Sequence, residues 1–101
     1  MPKRKEGALS DYRIFETDEF IKHLETLPEH DRVLIGRKLK GHAYPQLCEN
    51  PFYGRNIAKL KAFEPPLRRY RIGDFRLFYA IDDAQKIVFM IILDSRKETS
   101  R

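Results

Sequence analysis

Three apolar-rich stretches near the C-terminus, Leu67 to Ile72, Phe75 to Asp82 and Ile87 to Leu93, do most to narrow what this chain can fold into. Each is rich in β-branched or aromatic residues. Only Gly73-Asp74 and Asp83-Ala84-Gln85-Lys86 separate them, so together they predict a three-stranded antiparallel meander. The first half has a different period. Phe20, Ile21, Leu24 and Leu27 fall at i, i+1, i+4 and i+7, one stripe of a helix running from Asp18 to about Thr26. Thr17 is placed to cap that helix, and Asp18 and Glu19 put negative charge in its first turn. Pro28, followed by Glu29 and Asp31, opens a second helix. Val33, Ile35, Leu39 and Ala43 carry it towards Pro45, where a stop or kink is expected. Ahead of the helices, Tyr12 to Glu16 is a short β-prone segment, and Glu49 to Asn56 is a turn-rich loop.

The expected fold is therefore α+β: an N-terminal strand, a helical hairpin and a three-stranded antiparallel meander, β-α-α-β-β-β. The hairpin covers one face of the sheet and leaves the other open. Residues 1–10 read as a flexible basic leader and residues 11–101 as one domain. Seven Phe and five Tyr in 101 residues supply large units for a core. A lone cysteine, Cys48, allows no intrachain disulfide and no thiolate metal cluster, as in a reducing, cytoplasmic setting. The longest apolar run, Ile87 to Leu93, falls far short of the ~20 residues of a spanning helix, and no membrane role is expected.

Charge is uneven along the chain. Residues 1–54 hold nine Lys/Arg and nine Asp/Glu, and residues 55–101 hold eleven against six, so the net charge of +5 lies in the second half. Gly73-Asp74 suits a two-residue primed turn. That register sets Ile72 opposite Phe75, Arg71 opposite Arg76, Tyr70 opposite Leu77 and Arg69 opposite Phe78. One face then carries Tyr70, Ile72, Phe75, Leu77 and Tyr79, and the other carries Arg69, Arg71, Arg76 and Phe78. Facing arginines repel one another. A bound phosphate would offset that repulsion, since guanidinium forks bond its oxygens and keep their charge. Lys59-Leu60-Lys61 before the meander and Arg96-Lys97 after it can extend the basic surface. His23, His30 and His42 show no metal-ligand spacing and read as solvated or capping residues.

Arg69-Tyr70-Arg71-Ile72-Gly73-Asp74-Phe75-Arg76-Leu77-Phe78-Tyr79-Ala80-Ile81-Asp82, followed by Ile87 to Lys97, resembles the C-terminal half of the RelE/ParE superfamily of type II toxins, and within it the RelE-like branch more closely. The resemblance implies a growth inhibitor neutralised by a cognate antitoxin, in a toxin–antitoxin hetero-oligomer. For RelE-like members it implies ribosome-dependent cleavage of messenger RNA, with translation inhibited and no cofactor or metal needed. Catalytic roles would then fall on Arg71, Arg76, Arg96 and Lys61, and RNA contacts on Lys59, Arg69 and Lys97. RelE-like ribonucleases carry a Tyr or His shortly after the arginine matched by Arg96, whereas here the sequence reads Lys97-Glu98-Thr99-Ser100-Arg101. Tyr70 and Tyr79 fall on the core face and do not replace it. The alternatives are a ParE-like inhibitor of DNA gyrase, or a relative with weakened catalysis that acts through antitoxin binding.

Overall fold

In the computed structural model, which describes residues 12–64 and 66–95, the chain runs β1 (Arg13–Glu16), α1 (Asp18–Glu25), α2 (Glu29–Lys38), a π-helical turn (Leu39–Ala43), α3 (Tyr44–Glu49), β2 (Ile57–Leu60), β3 (Leu67–Ile72), β4 (Phe75–Asp82) and β5 (Ile87–Ser95). The leader, Arg96 and Lys97 lie outside the described residues. The strands form one sheet in the order β1-β5-β4-β3-β2. The meander forms as expected, with Ile72 opposite Phe75, Arg71 opposite Arg76, Tyr70 opposite Leu77 and Arg69 opposite Phe78. Gly73 has φ +52° and takes the positive-φ position of the two-residue turn.

The sheet has five strands rather than four. Ile57–Leu60 pairs antiparallel with β3, setting Ile57 opposite Tyr70 and Leu60 opposite Leu67. Four residues emerging from a turn-rich loop carry too little alternation to stand out in the sequence. At the other edge β1 runs parallel to β5, with Arg13 opposite Ile87 and Glu16 opposite Met90.

The second helix does not end at Pro45. Its buried residues Ile35, Leu39, Ala43 and Leu47 recur at strict four-residue steps. In a regular α-helix each such step drifts by about 40°. The wider π turn absorbs that drift, so all four side chains stay on the core. Pro45 then falls in the first turn of α3, where its missing N–H costs nothing. Thr17 caps α1 as expected: its hydroxyl accepts from the Phe20 N–H (3.2 Å) and donates to the Met90 carbonyl (2.7 Å).

These helical residues and Phe20 pack on Tyr70, Ile72, Phe75, Leu77, Tyr79, Val88, Met90 and Leu93. Even-numbered Val88 and Met90 share this face with odd-numbered Leu93 because of a β-bulge. Phe78 pairs with Ile92 and Tyr79 with Met90, so Ile91 is the extra residue. Buried hydroxyls tie the layers together. Tyr79 donates to the Pro51 carbonyl (2.8 Å), Tyr70 to Gln46 Oε1 (2.6 Å) and Tyr44 to Glu16 Oε2 (2.6 Å). Desolvation pushes the Tyr44 and Tyr79 hydroxyls well above the usual tyrosine range, with the Glu16 carboxylate adding to the effect at Tyr44. His23 is neither solvated nor a cap. Its Nδ1 accepts from the Leu93 N–H (3.1 Å) and its Nε2 lies 3.1 Å from Glu19, which bridges α1 to β5.

Candidate nucleic-acid interface

The face of the sheet away from the helices carries Arg69 and Arg71 on β3, Arg76 and Phe78 on β4, and Asp94 on β5, all set by register. Arg71, Arg76 and Asp94 stand side by side across three strands. An ion pair links Arg76 Nη2 to Asp94 Oδ2. The repulsion expected between Arg71 and Arg76 is therefore relieved within the chain, and a bound phosphate is not required to explain it. Asp94 reaches this face only through the bulge. Strict alternation from Val88 and Met90 would have sent it to the core.

The ion pair leaves much of the guanidinium chemistry unused. The Nε atoms of Arg69 and Arg76 are buried and have no hydrogen-bond partner among the described residues. Native proteins rarely leave such donors unmatched. Arg71 is exposed, and among the described residues only its backbone is engaged, its N–H donating to the Asn56 carbonyl (3.0 Å). Beside these arginines a cleft of about 280 Å³ is lined by Arg55, Asn56, Ile57, Ala58, Arg69 and Arg71. Arg55 lies in the stretch read from the sequence as a turn-rich loop, and Asp94 just past the stretch read as an apolar strand, so neither stands out.

The remaining expected residues are dispersed. Lys59 pairs with Arg68, not Arg69, which places it at a register position of the helix-covered face. It does not extend the arginine surface. Arg68 is structural: its Nε donates to the Phe52 carbonyl (3.3 Å) and its guanidinium sits 5.0 Å from the Phe52 ring centroid. Lys61 is exposed in the turn after β2. Among the described residues no three His, Cys, Asp or Glu gather as a metal site, and no helix is long and apolar enough to cross a membrane.

The family model for the ParE toxin of the type II toxin–antitoxin system parDE matches residues 14–99. The chain belongs to this family of type II toxins. A search of curated proteins finds no match. Among solved structures, the chain is similar to the RelBE2 toxin–antitoxin complex of Mycobacterium tuberculosis (25% identity, TM-score 0.66, 85% of this chain and 99% of that one). It is also similar to the archaeal RelE–RelB complex of Pyrococcus horikoshii OT3 (27% identity, TM-score 0.53, 85% and 96%). A doubly substituted variant of E. coli toxin RelE in the free state shares the fold (21% identity, TM-score 0.62, 89% and 88%).

Proposed function

We propose that the protein is a cytoplasmic toxin that cleaves messenger RNA on the ribosome and is held inactive by a cognate antitoxin. The observation that carries this reading is the row of Arg69, Arg71 and Arg76 on one face of the sheet, in which the Arg71 side chain is exposed and has no partner among the described residues. Phosphate oxygens accept from such guanidinium groups in bidentate geometry. The similarity to RelE–RelB structures supports both the activity and the antitoxin partner.

The reaction would be attack of a ribose 2′-hydroxyl on the adjacent 3′-phosphate, giving a 2′,3′-cyclic phosphate and a free 5′-hydroxyl. Arg71 and Arg76 stabilise the charge that develops on the phosphorus oxygens. Asp94 is the carboxylate beside them and takes the proton of the attacking hydroxyl. Arg69 and Lys97 bind neighbouring phosphates, Arg96 joins the catalytic group, and the departing 5′-oxygen takes its proton from water.

The match to the ParE family model favours a second reading, inhibition of DNA gyrase. Expressing the toxin and mapping RNA 5′ ends separates the two. Cuts within translated codons that vanish when ribosomes are removed support cleavage. DNA breaks with intact transcripts identify the gyrase inhibitor and end the ribonuclease reading.

A further inference from the structure

A second cleft, of about 450 Å³, lies around the edge of β3 from the arginine face, between the helical segment and the β3–β4 turn. Its wall on the helix side is Lys38, His42 and Gln46, spaced by four residues. The π turn that keeps the core residues in line does the same for this polar row. Gln46 is fixed. Its Oε1 accepts from the Tyr70 hydroxyl (2.6 Å), and its amide nitrogen packs so closely on Gly54 that a Cβ there would collide with it. Arg71 forms the opposite wall, and at the mouth Gly41 and Gly73 have open space where a side chain would stand. No carboxylate lines the cleft, and among the described residues neither Lys38 nor Arg71 has an ion-pair partner.

Arg71 and Asn56 line this cleft and the Arg55–Arg69 cleft alike. The two are neighbours around one edge of the sheet. We propose that the Lys38–His42–Arg71 cleft is a second phosphate site, which takes the backbone of single-stranded RNA next to the nucleotide held on the arginine face. The inference rests on the RNA-binding reading above. Its polar floor offers hydrogen bonds rather than apolar packing, which suits a sugar–phosphate segment better than the side chains of an acidic peptide.

The test uses the full chain and a short 2′-O-methyl RNA oligonucleotide, which binds without being cut, with fluorescence anisotropy followed across a salt series. Lys38→Ala/His42→Gln should weaken binding by about 5- to 20-fold and flatten the slope of log K against log salt by about 0.7–1.4, as expected for one or two lost phosphate contacts. Lys38→Arg should restore the slope. Lys22→Ala, which removes an equal charge from the exposed side of α1, should leave it unchanged. Wild-type affinity and slope in the double variant, alongside weaker binding by Arg69→Ala, would overturn the second site and leave the RNA reading standing. An equal loss in Lys22→Ala would reduce the effect to net charge and also overturn it. If the wild type binds no RNA and the double variant instead loses affinity for an acidic antitoxin peptide, both readings fail and the cleft is a protein-docking site. Melting curves accompany each variant, and the single Lys38→Gln and His42→Gln substitutions replace the double one if it melts early.

Discussion

The two faces of the β3–β4 hairpin are built from alternate residues of the same dozen or so positions, yet they obey different rules. Tyr70, Ile72, Phe75, Leu77 and Tyr79 are at most 8% exposed, and the helices cover them. Arg69, Arg71 and Arg76 stand one residue away in each case, on a face that no helix among the described residues covers. On the covered face every group is satisfied by its neighbours: apolar surface meets apolar surface, and each buried hydroxyl has an acceptor. On the open face charge is only partly neutralised and donors are left over. A strand can thus hold the fold with one set of side chains while the other set carries charged groups that would destabilise a core.

Four changes test that division. The largest effect expected is from Leu77→Ala, a cavity beneath the sheet costing about 2–5 kcal/mol by chemical denaturation and removing toxicity through unfolding. Arg76→Ala should do the reverse, lowering RNA cleavage by about 100-fold or more. Its stability should change by no more than about 1 kcal/mol, because the pair with Asp94 is part-exposed. Marked unfolding of this variant would show that the two faces are not separable.

The third test is alkaline. The Tyr44 and Tyr79 hydroxyls are held protonated in the folded state beyond the range at which an unfolded tyrosine ionises. Their contribution is fully present below about pH 10 and is lost as pH rises above it, since only the unfolded chain then releases those protons. Urea midpoints should fall above that pH, and Tyr79→Phe should blunt the fall while costing about 1 kcal/mol at neutral pH through the unpaired Pro51 carbonyl. The smallest effect on stability, about 0.5 kcal/mol, is expected for Asp94→Asn. Its value lies in a split readout: releasing Arg76 should tighten binding of uncleavable RNA while cleavage falls. Parallel rises in both would rule out Asp94 as the proton acceptor.

Much of the fold is legible in the sequence, because period-2 alternation and Gly73-Asp74 together determine the register of β3 and β4, and Thr17 marks the start of α1. What escapes notice has a local cause. The helix passes Pro45 because the π turn resets its hydrogen bonding; the four-residue recurrence of Ile35, Leu39, Ala43 and Leu47 is its trace in the sequence, and Pro45 interrupts the reading of it. Asp94 escapes for a similar reason: one bulged residue, Ile91, reverses the parity of β5 between Met90 and Leu93. Within an unbroken apolar run the position of such a bulge leaves no mark. Lys59 falls off the arginine face because the pairing of β2, which sets it opposite Arg68, depends on a loop whose length fixes its register.

The pairing of β1 with β5 also governs the order in which the molecule can assemble. Among the described residues β1 is joined in the sheet by β5 alone, Thr17 bonds to the Met90 carbonyl, and His23 of α1 receives the Leu93 N–H. These contacts span about seventy residues, so the first elements to leave the ribosome find their partners among the last. Such non-local closure slows folding and exposes intermediates. A nascent chain that has not yet made β5 has no stable place for β1 or α1. Asp94, the ion-pair partner of Arg76, likewise arrives only with β5. Chains truncated before β5 should accumulate as unfolded fragments without toxicity, a result that expression of such truncations checks.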